Sequence, residues 1–410
     1  MPKWAKGEND FKFDWKKREN MNTKVLVLTT ISGFLAKFEM NDVKILQENG
    51  CTVHYASNFN NPIYEDKKDE LKKMGIKLHN ICIQKSPLRL IRNAKAFKQL
   101  VDIVKREEID MIHCHNPMGG VLGRLITMFT GRKIYTIYTA HGFHFYDGAP
   151  LKNWLMYYPI ERFLAAFTDI LITINHEDFL RAKKFKKRKN GKAVYIPGVG
   201  IDVEKFSKKP GCYETERAKW NIPKDAFHVV SVGELNDNKN HEVIIDILSD
   251  PKMANVYYTI CGKGYKKDEL QKKIDDLGLT GRVKLLGYRT DIEMILQSAD
   301  CFAFPSKREG LGVASLEALG CGVPIVATDN RGTREYVIHN RNGFMCDLNK
   351  KEQYKEAILR LMTDDVKRKE MQEYCVKTAH KFSLGTTDKI MRGVYKGALG
   401  NVRRNRCDLG

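Results

Sequence analysis

Two glutamates, Glu309 and Glu317, bracket a short glycine-rich stretch, Gly310-Leu311-Gly312. A carboxylate accepts two hydrogen bonds at once and so suits vicinal hydroxyls, such as those of a ribose or a hexose. Glycines let a backbone approach a phosphate closely, and free N–H groups at the start of a helix attract anions. The string before Glu309 reads as a strand ending near Phe304–Pro305. The string after Gly312 reads as a helix ending near Gly320–Cys321, with Pro324 admitting the next strand. One carboxylate therefore lies on a loop and the other within a helix, spaced to grip two parts of one extended ligand. Sugar, diphosphate and ribose, in that order, describe a nucleotide-sugar site.

Such a site needs strand ends to carry it. Short apolar runs alternate with amphipathic segments in two series. In the first half the strand-like runs are Val25–Leu28, Thr52–Ala56, Met111–His113, Ile134–Tyr138, Ile170–Thr173 and Val194–Ile196. In the second they are Val229–Val232, Tyr257–Ile260, Val283–Leu286, Cys301–Phe304, Ile325–Ala327 and Gly343–Cys346. Helical patterns such as Asn93–Glu107, Asn153–Ala166, Lys266–Leu277 and Thr387–Ala398 lie between or after them. Strand–helix alternation predicts parallel sheets covered on both faces, and two series predict two doubly wound α/β domains. Ligands of such sheets bind beyond the carboxyl ends of the strands. Lys239, which follows Val229–Val232, thereby becomes a candidate for neutralising phosphate. Ser32-Gly33-Phe34 follows the first strand; close approach to a donor phosphate or acceptor and a plain turn both fit Gly33.

Length and composition agree with this plan. The 410 residues suit two domains, and a composition 42% hydrophobic and 29% charged reads as globular. No apolar run approaches the roughly 18 residues that span a bilayer. The apolar pattern starts after Met21, and residues 1–20 read as a loose extension with no signal-peptide character. The expected domains are 21–196 and 197–381, divided near Pro197–Lys209, with a helix and tail over 382–410. The ten cysteines show no C-x-x-C pair and no zinc spacing, so they read as reduced thiols, several in strand-like contexts (Cys82, Cys114, Cys261, Cys301).

The net charge of +20 calls for an anionic partner. Arg181–Lys192 holds eight Lys or Arg in twelve residues. Lys85–Lys98 interleaves Arg89, Arg92 and Lys95 with Leu88, Leu90, Ile91 and Phe97. Cations mixed with apolar residues suit an anionic membrane surface or a lipid diphosphate. Nucleic-acid binding is the rival reading of the charge, but no groove-reading helix or stacking platform is recognisable, and no nucleic-acid partner is expected. Cys261-Gly-Lys-Gly falls short of a dinucleotide fingerprint, because Lys267 stands where the third glycine belongs.

The Glu309-Gly-Leu-Gly string with Glu317, followed by Gly322-Val-Pro-Ile-Val-Ala-Thr, closely resembles family 4 glycosyltransferases of the GT-B fold. The likeness runs over nearly the whole chain from Met21. It includes Ser231-Val-Gly-Glu-Leu-Asn-Asp-Asn-Lys-Asn, Leu286-Gly-Tyr-Arg-Thr-Asp-Ile, Thr139-Ala-His-Gly-Phe-His-Phe and Ile196-Pro-Gly-Val-Gly-Ile-Asp. It is greatest toward the bacterial capsule and exopolysaccharide branch.

The resemblance implies two Rossmann-like domains facing across a cleft and a C-terminal helix returning toward the first. It implies that Glu309 holds the transferred sugar, Glu317 the ribose and Lys239 the donor diphosphate. The stretch Gly287–Arg289 would border the base, and His141, with His144 secondary, would meet the sugar. Glu234 stands where many relatives carry Arg and is not counted as a phosphate ligand. The implied reaction is retaining transfer of a hexose or N-acetylhexosamine from a nucleotide sugar, UDP-linked by preference. The implied acceptor is a lipid-linked saccharide of the undecaprenyl-diphosphate type. The enzyme would be cytoplasmic and peripheral on the inner membrane face, with no cofactor and no essential metal, since Lys239 and the Gly310–Gly312 amides supply the positive charge. A GT-B transferase with a soluble acceptor is the nearest alternative.

Overall fold

The computed structural model of the chain describes residues 22–60, 62 and 64–407. The extension 1–20 lies outside the described residues. Among the described residues thirteen strands form two sheets. The first contains β1 (Lys24–Leu28), β2 (Thr52–Ser57), β3 (Lys77–Asn80), β4 (Met111–His115), β5 (Tyr135–Ala140), β6 (Ile170–Thr173) and β7 (Lys192–Tyr195). Its strand order is β3-β2-β1-β4-β5-β6-β7. The second contains β8 (Phe227–Val232), β9 (Val256–Cys261), β10 (Val283–Gly287), β11 (Cys301–Phe304), β12 (Ile325–Thr328) and β13 (Gly343–Cys346). Its order is β10-β9-β8-β11-β12-β13.

Each order starts in the middle and reverses direction, as a doubly wound sheet does. The ladders are parallel: Val25 pairs with Met111 across β1 and β4, and Cys301 with Val229 across β11 and β8. Helices cover both faces, so the central strands are buried along their length, with a few polar residues such as His113, Thr136 and His228 among apolar ones. Val25 to Leu28 are at most 1% exposed, and Val229, Ile260, Ala303 and Val326 are wholly buried. The strand absent from the sequence reading is β3. Its residues, Lys-Leu-His-Asn, are exposed or half-buried at a sheet edge, so no apolar run marks it. Cys82, expected in a strand, instead lies beyond β3, where its thiol donates to the Gln99 carbonyl oxygen and the Arg92 backbone carbonyl.

By its internal contacts the chain forms two compact units. Of the described residues, one unit holds those up to Ile137 and those from Arg392 onward; the other is Tyr138–Met391. The last helix runs Leu384–Cys407, longer at both ends than the expected Thr387–Ala398. Within the first unit its Tyr395 hydroxyl lies 2.7 Å from His113 Nδ1 and donates to Asp42 at 2.9 Å, while Arg392 pairs with Glu48. All three members of the Tyr395 network are buried, so the helix is tied to β4 and to the helix Met40–Glu48 by polar contacts as well as by packing.

His228 on β8 is wholly buried, and burial holds it down to about 4. The neutral ring satisfies both its neighbours: Nδ1–H donates to the Ser298 carbonyl at 3.0 Å, and Nε2 accepts the Thr259 hydroxyl at 2.8 Å. A histidine held below its unfolded value takes up a proton more readily when unfolded. Stability is therefore complete above about pH 6.5 and is lost as pH falls toward 4. His228 alone should remove about 2 kcal/mol between pH 7 and pH 5. Urea melts at the two pH values check this; His228→Gln should flatten the slope, and an unchanged slope would refute it.

Candidate functional site

The loop after β11 carries Glu309 and leads into the helix Val313–Gly320. Gly312 caps that helix with φ of 100°, and Glu317 lies half-buried within it. The loop after β8 carries Lys239. The two loops are stitched together: Lys307 N–H donates to the Asn238 carbonyl at 2.7 Å, and the Asn238 amide donates to the Arg308 carbonyl at 3.0 Å. Lys239 Nζ then lies 2.6 Å from Glu309 Oε1 and 4.7 Å from the Phe304 ring centre. Both side chains are largely enclosed, at 20% and 13% exposed. An ammonium and a carboxylate at contact distance fit one ligand whose phosphate and hydroxyl oxygens are themselves close neighbours.

The β5 end brings His141 to the same place. A Cβ on Gly310 would lie 2.1 Å from the His141 carbonyl oxygen, so only glycine allows these two backbones to touch. His141 is half-buried, and desolvation lowers it from its ordinary value to about 4, leaving a neutral ring at physiological pH. His144 is also lowered by burial and rests against Tyr157 at 4.6 Å. Gly310→Ala should push the His141 segment away and, if that segment meets the substrate as expected from the sequence, lower turnover by up to about 10²-fold while the fold survives, since a 1 Å misplacement can cost that much. Steady-state kinetics beside a melting curve would check it; wild-type kcat would refute it.

A buried ionic cluster fixes this arrangement, and the sequence reading missed it. Arg331, on the loop after β12, donates to Asp178 at 2.7 Å and to the Phe143 carbonyl at 2.5 Å, and its Nε reaches the Glu309 carbonyl at 3.4 Å. Its guanidinium also covers the Tyr146 ring at 4.8 Å. Asp178 accepts the Phe143 N–H at 2.9 Å. Asn175 caps the helix His176–Lys184 by accepting the Asp178 N–H, and its amide donates to Asp178 and to the Gly310 carbonyl at 3.1 Å. Burial pushes the Asp178 carboxyl up, with Arg331 and the two amide donors pulling it back. Three strand-end loops, after β5, β6 and β12, thus hold the Glu309–Gly310 backbone from one side. Position after a strand was a usable signal for Asn175, Asp178 and Arg331; their pairing across 153 residues was not.

Family models decide the identity. The model for glycosyl transferases group 1 matches residues 213–381, and that for glycosyl transferase 4-like matches residues 24–175. EpsD of Bacillus subtilis (strain 168), named as a glycosyltransferase, is 34% identical over 380 residues, covering 92% of this chain and 97% of EpsD. The chain belongs to the family 4 glycosyltransferases. It is of the bacterial polysaccharide type: the capsular polysaccharide biosynthesis glycosyltransferase CapM of Staphylococcus aureus is 24% identical over 84% of this chain and 89% of its own. An Escherichia coli UDP-Gal:alpha-D-GlcNAc-diphosphoundecaprenol alpha-1,3-galactosyltransferase is 29% identical over 68% of this chain and 73% of its own. The fold of this glycosyltransferase is GT-B. Anabaena HepE, solved with UDP and glucose, superposes with a TM-score of 0.73 at 21% identity over 92% of this chain and all of HepE. WaaG, from lipopolysaccharide biosynthesis, superposes at 0.69 and 16% identity over 90% of this chain and 99% of its own.

The remaining expected residues of the glycosyltransferase fall as follows. In the Tyr138–Met391 unit, Leu311 is buried, and Arg289 makes a two-pronged pair with Asp291 at 2.9 and 2.6 Å while covering Trp220. The Arg289 side chain is thereby held, leaving the backbone of the Gly287 turn as the reachable part. Glu234 is exposed and accepts from the Asn236 amide. In the first unit, Gly33 has φ of 76°, and the Tyr64 and Glu65 carbonyl oxygens lie 2.8 Å from where its Cβ would stand. No other residue fits there. Arg89, Arg92 and Lys95 are exposed at the start of the helix Leu90–Arg106, beside the exposed Leu88, Leu90 and Ile91.

Proposed function

We propose that the enzyme moves a hexose or N-acetylhexosamine from a UDP-linked sugar to a lipid-linked saccharide, with retention at the anomeric carbon. The observation that carries this is the enclosed Lys239–Glu309 pair set against the Gly310–Gly312 backbone, with Glu317 on the following helix. Glu309 accepts from hydroxyls of the transferred sugar, Lys239 and the glycine amides hold the diphosphate, and Glu317 holds the ribose. His141, neutral, meets the sugar.

In the reaction the bond from the anomeric carbon to the diphosphate oxygen breaks. The acceptor hydroxyl oxygen bonds to the same face, and its proton passes to the leaving phosphate oxygen. The protein supplies placement and stabilisation of the leaving charge. Lys239 and the helix start provide that charge, so no metal is needed for the step; activity lost to a chelator and restored by manganese would refute this part. Peripheral attachment to the inner membrane face, through Arg89, Arg92 and Lys95 among others, brings the enzyme to its acceptor. Two likenesses support the reading: the E. coli relative's name gives a UDP-galactose donor and a diphosphoundecaprenol acceptor, and the structure of HepE was solved with UDP and glucose.

The test is a panel of UDP-, GDP- and ADP-sugars offered with an undecaprenyl-diphosphate sugar and read by mass spectrometry. Mass gain on the lipid with a UDP-sugar is expected. Transfer only to soluble saccharides would move the enzyme to the alternative class of acceptor.

A further inference from the structure

The helix Leu151–Ala165 has two faces of opposite character. Inward, Trp154 and Tyr158 pack on Phe145 at 5.6 and 5.3 Å, and Tyr157 packs on His144. These are the residues that follow His141. Outward, Leu151 is 72% exposed, Leu155 71%, Met156 52%, Ile160 44% and Phe163 56%. The exposed charges on this helix are Lys152 and Arg162, and its one acid, Glu161, is buried. Five exposed apolar side chains on one helix face mark a surface for a partner or a membrane. Nothing in the chain's periodicity singled it out, because the inner face is aromatic and apolar as well.

We propose that this face seats the enzyme on the anionic lipid leaflet, its apolar side chains entering the boundary between headgroups and acyl chains. This rests on the lipid-linked acceptor reading given above. Charge selects the partner. A second copy packed face to face about a two-fold axis would bring Lys152 and Arg162 toward like charges. Protein interfaces are in general depleted of lysine at the core. Anionic headgroups instead neutralise both cations, and a helix with an apolar face whose exposed charges are Lys and Arg is the form that lies in a membrane interface. A basic run lies against the inner side of the same helix: Phe185 packs on Tyr158 at 5.7 Å, and its sequence neighbours Lys183, Lys184, Lys186 and Lys189 are exposed.

The arrangement has a functional logic. Such a helix sinks about 5–10 Å into the interface. Its far side, roughly one helix diameter of 10–12 Å away, carries the His144–Phe145 segment. A sugar held on a lipid diphosphate would then meet the His141 loop close above the headgroups, and seating the helix would brace that loop from behind.

The experiment uses the full chain. Leu155→Ser, Ile160→Ser and Phe163→Ser are combined and sedimented with phosphatidylglycerol–phosphatidylcholine vesicles, and with phosphatidylcholine alone. Wild type should bind the anionic vesicles, and the triple variant should bind on the order of 10²-fold more weakly with an unchanged melting curve, since the three side chains are exposed. Lys152→Glu with Arg162→Glu should weaken binding to anionic vesicles only. Wild-type binding by the triple variant would overturn the proposal. So would a wild-type dimer that the triple variant dissolves with lipid binding unchanged, which would mark a self-association face. Transfer to detergent-dispersed acceptor is measured in parallel. If wild type fails there, the acceptor reading falls; if it succeeds while vesicle binding ignores the helix, only the seating falls.

Discussion

Glu309→Gln should lower sugar transfer by about 10²–10³-fold while leaving UDP binding intact or slightly tighter. In the proposed role the Glu309 carboxylate accepts from two sugar hydroxyls, at about 1.5–3 kcal/mol per charged hydrogen bond, and an amide keeps its shape but not its charge. UDP itself carries no transferred sugar, so under the proposed division of roles its grip does not use Glu309. Removing the charge also releases Lys239 from its 2.6 Å partner, which leaves the ammonium freer for phosphate. Lys239→Ala should show the opposite split: weaker UDP binding together with a turnover loss of about 10²–10³-fold, the usual cost of one preorganised charge stabiliser. Calorimetry with UDP beside initial rates with the UDP-sugar separates the two. Normal transfer by Glu309→Gln, or loss of UDP binding in step with transfer, would sink the division of roles.

Asp178→Ala should be the most destabilising single change near the site. It strands Arg331, whose side chain is 5% exposed, without its counter-charge, and a broken buried pair costs about 3–5 kcal/mol. The Phe143 N–H and the Asn175 amide lose an acceptor at the same time. Adding Arg331→Met should recover much of that loss, because replacing both members of a buried pair by apolar groups is often nearly neutral. The recovered double variant should still turn over slowly, since the Phe143 and Glu309 carbonyls are no longer tied to one guanidinium. A melting point for Asp178→Ala within a degree or two of wild type would refute the cluster as a structural tie. Full activity in the recovered double variant would refute its positioning role.

How much of this was legible beforehand follows from what each part depends on. All twelve apolar runs read from the sequence correspond to strands: the central ones are apolar for most of their length because both faces are buried, and the edge strands β7, β10 and β13 keep enough apolar residues to be seen. The start of the helix after Gly312 was legible for the same kind of reason: glycine and proline mark ends by their own backbone limits. The strand β3 was not, since an edge strand buries little and Lys77, His79 and Asn80 carry no apolar signal. In the site, Glu309 and Lys239 were each placed at a strand end, but their mutual contact was not expected. Sequence separation hides a contact that only the loops Asn236–Lys239 and Lys307–Glu309, hydrogen-bonded to each other, create. Arg331 and Asp178 were missed for a plainer reason. A lone arginine and a lone aspartate are most often solvated, and only burial of both reveals a pair.

Asn175 offers a constraint on engineering. One side chain caps the helix that follows β6 and also holds the Gly310 carbonyl, 135 residues away. Substrate preferences are the traits one would recombine by joining the first strand series of one transferase to the second of another. A junction between β7 and β8 separates Asn175 and Asp178 from Gly310 and Arg331. Hybrids of this chain should therefore succeed only with parents that bring matching residues at all four positions, and a library sorted by those four should contain nearly all of its soluble members in the matched class.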